Sequence, residues 1–84
     1  MKNELIQKAI LTILNRLESV FLREATLAAE VEISIDRTLK AGEFADELRW
    51  LQDRELIEKD HTLLDEPMWH ITGKGKLAAK EGTR

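Results

Sequence analysis

A chain of 84 residues has room for one domain, and a core of that size folds alone with only modest stability. Apolar residues make up 43% and charged residues 35%, which is the balance of a helix-rich globule and excludes a disordered chain; the lack of cysteine excludes a disulfide framework and a thiolate metal site. The net charge of -3 is unevenly spread, with nine Lys or Arg against fifteen Asp or Glu in residues 1–72 and four against one in residues 73–84, so a polyanion meets the C-terminal end first.

The opening run MKNELIQKAILTILNRLES places a polar residue every few positions. It therefore lacks the apolar core of a signal peptide and falls short of the roughly 20 residues needed to span a bilayer. A cysteine-free chain without such a segment is expected in the reducing cytoplasm. Leu5, Ile6, Ala9, Ile10, Ile13, Leu14 and Leu17 recur at the spacing of one helix face. This predicts an amphipathic helix capped by Asn3, with Glu4 at its positive end and Arg16 near its negative end, ending around Glu18 or Ser19.

Val20–Leu22 is short, β-branched and aromatic, suited to a small strand or a buried linker. REATLAAEV repeats the helical spacing through Ala25, Leu27, Ala28, Ala29 and Val31, and EISID is expected to break that helix, with Ser34 and Asp36 both able to cap the next. A third helix is predicted from about Arg37 to Arg54, with Ala41, Phe44, Ala45, Leu48 and Leu51 on its inner face; Gly42 inside it costs about 1 kcal/mol relative to Ala. ELIEKD and MWHIT then read as two strands joined by the polar loop HTLLDEP, where Pro67 suits the loop or a first strand position. GKGKLAAKEG closes the chain as a short helix with Leu77 and Ala78 inward.

The sequence LAAEVEIS (Leu27–Ser34), ADELRWLQDRELIEK (Ala45–Lys59) and WHITGKGKLAA (Trp69–Ala79), in this order, resembles the winged helix-turn-helix superfamily. The resemblance covers most of the chain and implies a mainly α fold with a small β-hairpin (α+β): a three-helix core, a wing and a short C-terminal helix in one domain, residues 1–84. Thr72 can end the wing and cap the last helix, while Gly73 and Gly75 permit a tight turn and close packing. Two departures stand out. The distance from Ser34 to Leu48 is longer than usual, and Arg23 stands where a Ser or Thr cap is common.

In DNA-binding members of the superfamily the third helix enters the major groove, which implies a small DNA-binding or regulatory protein. At about 100° per residue the face opposite Leu48 carries Leu39, Glu43, Asp46, Trp50 and Asp53, three carboxylates and no cation. Such a face repels phosphate, so DNA would be met by the start of the helix, through Arg37, Thr38 and Lys40, together with Lys74, Lys76, Lys80 and Arg84 at the C-terminal end. The alternative is a protein-interaction winged helix, an adaptor, dimerisation unit or inhibitor, that uses the Leu39, Glu43, Asp46, Trp50, Asp53 face with Trp50 as its anchor. A homodimer is a further expectation, because the apolar face from Leu5 to Leu17 is wide for one small core.

His61 and His70 could face each other across the hairpin, yet no HExxH-like spacing accompanies them, so no metal is expected. Asp65 and Glu66 fit a turn better than an acid/base pair, and neither a Gly-rich phosphate loop nor a nucleophile arrangement is present. The expectation is a binding protein, not an enzyme, with no cofactor, small-molecule substrate or membrane partner.

Overall fold

The computed structural model describes residues 3–17 and 20–81. In chain order it contains α1 (Glu4–Arg16), β1 (Leu22–Arg23), α2 (Glu24–Ile35), α3 (Glu43–Asp53), β2 (Ile57–His61), β3 (Pro67–Ile71) and α4 (Gly73–Glu81). No helix among the described residues is long and apolar enough to cross a membrane.

The predicted spacing of α1 becomes the spine of the core. Ile6, Ile10 and Leu14 are wholly buried and meet Leu27 and Val31 of α2, Leu48 and Leu51 of α3, and Ile57, Trp69 and Ile71 of the sheet. Each such side chain contributes about 1.5–3 kcal/mol when fully buried, so Ile10→Ala is the kind of single change that undoes the packing. Asn3 caps α1 by accepting the Ile6 N–H. The expected end of this helix at Glu18 or Ser19 lies outside the described residues.

The sheet is antiparallel in the order β1-β3-β2, with Leu22 opposite Trp69, and Ile57 opposite Ile71. The short third strand falls on Leu22 and Arg23, so of the Val20–Leu22 segment only Leu22 joins it, while Val20 and Phe21 stay exposed; Pro67 takes the first position of β3. Trp69 is buried in the middle strand, and its indole N–H donates to Glu24 at the start of α2, 2.9 Å away. This bond ties the sheet to the helical half.

Three expectations are corrected. EISID does not break α2, which runs on to Ile35 because Val31 and Ile35 stay on its packed side. It ends only at Asp36, in the left-handed region at φ 57°. The third helix starts at Glu43, not at Arg37: Gly42 adopts φ 80°, and residues 36–42 form an irregular connector. As a result Ala41 and Ala45 are exposed, and Glu47 takes the inner position beside Leu48 and Leu51. In α4 the inward residues are Gly75 and Ala79, with Ala78 half-buried, whereas Leu77 points outward.

The seam between wing and α4 follows the sequence reading. Thr72 Oγ1 accepts the Gly75 N–H at 2.9 Å and shares its one hydrogen between the carbonyl oxygens of Glu55 and Leu56. A Cβ on Gly75 would overlap the Leu56 carbonyl and stand 2.8 Å from Ile71 Cγ1, so only glycine fits.

Candidate nucleic-acid interface

α2, the connector and α3 make a helix-turn-helix, and α3 is buried on one side only. Taking Glu47, Leu48 and Leu51 as its inward centre, a turn of about 100° per residue puts Asp53, Arg49, Asp46 and Ala45 on the far side, and all four are exposed, as is Gln52 beside them. This outward stripe carries two carboxylates, one guanidinium and one amide. Arg49, with a fixed fork of donors at the middle of the stripe, is the residue best placed to meet a base edge or a phosphate.

The five residues expected to share that face do not. Leu39 lies in the connector, packs on the core, and donates its N–H to Glu32 at 2.8 Å. Glu43 and Trp50 are turned toward α1. Trp50 packs at the edge of the core and lines a groove of about 400 Å³ with Gln7 and Leu11 of α1 and Ala78 and Ala79 of α4, while Arg54 covers its ring at 3.8 Å. Only Asp46 and Asp53 remain outward. The physical reason is helical phase, since a helix that starts at Glu43 and buries Glu47 carries Glu43 and Trp50 to its flank.

Glu47 is 2% exposed and is held by two neutral donors from α1, the Gln7 amide at 2.7 Å and the Asn3 N–H at 3.1 Å. One turn earlier Glu43 takes both Arg37 nitrogens, at 2.8 and 3.0 Å, together with the Lys40 N–H and the Asn3 amide. The Arg37 hydrogen bond, reinforced by the Lys40 N–H, holds the Glu43 carboxyl at about 2, well below the usual carboxylate range. Arg37 is thereby committed to fixing the connector. Thr38 and Lys40 are exposed beside it, with the Lys40 side chain at the start of α3.

Arg23 is exposed at the N-terminus of α2, where no side chain caps the helix. It borders a cleft of about 270 Å³ shared with Ala25 and Ala28 of α2, Phe44 of α3, and Glu66 and Pro67 of the wing. The sequence reading passed over Arg23 and Arg49 as site residues. The signal for Arg49 was available in the helical phase, once Glu47 is allowed an inward place.

The C-terminal lysines lie elsewhere. α4 begins where β3 ends, at the base of the hairpin, so Lys74 and Lys76 follow the end of β3 that lies away from the wing tip. α4 packs on α1, and Lys74 and Lys80 are exposed on it. Arg84 falls outside the described residues.

The histidines do not face each other: His70 stands opposite Glu58 and His61 opposite Pro67. His70 stacks on Phe21 with ring centres 4.6 Å apart, and its Nδ1 lies 3.4 Å from Glu58. Among the described residues no three His, Asp or Glu gather as a metal site. Most of the apolar face of α1 is covered by α2, α3, α4 and β3, with Leu5 left exposed.

Compared by sequence, the chain matches no protein-family model and no curated protein. Compared by structure, it is similar to F93 from STIV, described as a winged-helix DNA-binding protein, at a TM-score of 0.81 and 18% identity over 99% of this chain and 88% of that one. It is similar also to RosR of H. salinarum, at a TM-score of 0.79 and 22% identity over 93% of this chain and 68% of that one. MepR of S. aureus follows at a TM-score of 0.69 and 19% identity, over 99% of this chain and 55% of that one. The chain thus spans about two thirds of RosR and little more than half of MepR. At these identities the likeness establishes the fold, a winged helix.

Proposed function

We propose that this winged helix is a non-catalytic DNA-binding protein with a regulatory role, in which the outward face of α3 reads the major groove. The observation that carries this reading is that Ala45, Asp46, Arg49, Gln52 and Asp53 are left uncovered by every other element, on the helix that the fold presents to a partner. The structurally similar F93, named for DNA binding, supports it. A role on DNA also suits the cytoplasmic setting expected from the cysteine-free sequence.

The chemistry of the face sets the kind of binding. Arg49 can pair with the acceptor edge of guanine, Gln52 with adenine, and an aspartate with the amino group of cytosine. Lys40 and Arg23 supply phosphate contacts at the two helix starts, beside Thr38, while Arg37 acts by holding Glu43 in place. Asp46 and Asp53 weaken attraction to phosphate in general, so discrimination between sequences rests on base edges more than on charge. Lys74, Lys76 and Lys80 would act only on a duplex that extends past the base of the hairpin.

A salt titration of binding to mixed-sequence duplex DNA, followed by fluorescence anisotropy, tests this. With Arg23, Lys40 and Arg49 neutralising phosphates, the slope of log K against log salt is expected at roughly −3, and Arg49→Ala should flatten it by about 1 if Arg49 meets a phosphate. If Arg49 instead meets a base, Arg49→Ala costs about 1–3 kcal/mol at the preferred site and relaxes specificity there. Lys74→Ala with Lys76→Ala should weaken binding less than Arg49→Ala. Undetectable binding at low salt, to mixed sequence and to a selected site alike, sinks the proposal.

A further inference from the structure

The wing tip does not look like part of a DNA interface. Residues 60–66, DHTLLDE, contain no Lys or Arg and three carboxylates. On this acidic turn the two largest side chains stand in solvent: Leu63 is 105% exposed and Leu64 82%. They are not loose. Thr62 donates its N–H to the Glu66 carbonyl and accepts the Asp65 N–H at its own carbonyl, both at 2.9 Å. Its hydroxyl also accepts the N–H groups of Leu64 and Glu66, at 3.2 and 3.1 Å, while Asp65 takes φ 63° to close the turn. One threonine thus organises the whole tip, and the leucines are presented from a fixed backbone.

We propose that this tip is a docking surface for a second protein, whose complementary face is an apolar slot ringed by Lys and Arg. A pair of exposed leucines on a preorganised turn has the form of an interaction anchor, because little ordering remains to be done on binding. The rim of Asp60, Asp65 and Glu66 selects the sign of the partner. Insertion of a leucine between base steps is known in architectural DNA-binding proteins, but there the wedge arrives with cations, and this one would bring three carboxylates against phosphate. An anionic lipid surface is opposed by the same charge. Its anchor, Leu63 with Leu64, lies outside the residues assigned to DNA, so it stands or falls independently of that reading.

The test begins with the full chain carrying the photo-reactive residue p-benzoylphenylalanine in place of Leu63, irradiated in the cells that produce it, with the joined peptides sequenced by mass spectrometry. One protein is expected, joined at a segment flanked by Lys or Arg. That protein is then purified and its affinity measured directly by calorimetry. Leu63→Ser with Leu64→Ser should weaken it at least tenfold, and so should Asp65→Asn with Glu66→Gln; added salt should weaken the parent complex. Both double variants should melt as the parent does, and the serine variant should bind duplex DNA with unchanged affinity. The proposal is overturned if the probe joins only nucleic acid, only a second copy of this chain, or nothing. It is equally overturned if the purified partner binds the serine variant or the charge-neutralised variant as tightly as the parent.

Discussion

Glu47→Ala is the sharpest test of how this small domain holds α3 in place. The carboxylate is buried against the Gln7 amide and the Asn3 N–H, both more than thirty-nine residues away in the chain. Each hydrogen bond to a charged acceptor is worth about 1.5–3 kcal/mol, and a buried amide left without an acceptor loses about 1–3 kcal/mol. Against this, removing a buried carboxylate recovers a desolvation cost of several kcal/mol. The net loss is expected at about 2–3 kcal/mol, a large share of the roughly 4–12 kcal/mol available to a domain of this length. Replacing both partners with apolar residues, Glu47→Leu with Gln7→Leu, should restore most of the stability, since it removes donor and acceptor together. Urea unfolding followed by far-ultraviolet circular dichroism measures all three proteins. An unchanged midpoint for Glu47→Ala, or a double variant as weak as the single, would refute the reasoning.

Gly75→Ala should destabilise despite the better helix propensity of alanine, because overpacking costs about 1–3 kcal/mol and here the obstacle is the Leu56 carbonyl, fixed by the Thr72 N–H and hydroxyl. A melting temperature equal to or above that of the parent would show that β2 and α4 can separate at no cost. The Glu43 carboxyl is held near 2 against an ordinary 4.5, so the stability that it contributes is complete above about 4.5 and drains as the pH falls from there toward 2. Glu43→Gln should flatten that acid limb of a stability–pH curve; an identical limb in parent and variant would mean that Arg37 and Glu43 are not paired in solution.

Much of the architecture could be read from residues in isolation. The cap at Asn3, the apolar stripe of α1, the two wing strands and the Thr72–Gly75 seam are local patterns, each set by neighbours within a few positions. What resisted reading was the start of α3. Leu39 and Ala41 continue the apolar rhythm backward from Phe44, but the connector is shaped by Arg37 folding onto Glu43 and by Glu32 accepting the Leu39 N–H, contacts that no periodicity encodes. Trp50 and Glu43 were misplaced on the outward face for a related reason. A glutamate was not expected to occupy the inward position that Glu47 takes, and it does so only because Asn3 and Gln7 arrive from the far end of the chain to satisfy it. Once the phase of the helix is known, Arg49 stands out at the centre of the face.

The connector over residues 36–42 has a mechanical consequence. In a tight helix-turn-helix the covalent turn itself dictates the angle between the two helices. Here the backbone between α2 and α3 is long enough to leave that angle to side chains, chiefly Glu43 and Glu47 gripping the start of α1. The pitch at which α3 would enter a groove is therefore adjustable from behind. Substitutions on α1 alone could change the angle at which α3 presents its outward face while leaving every residue of that face intact.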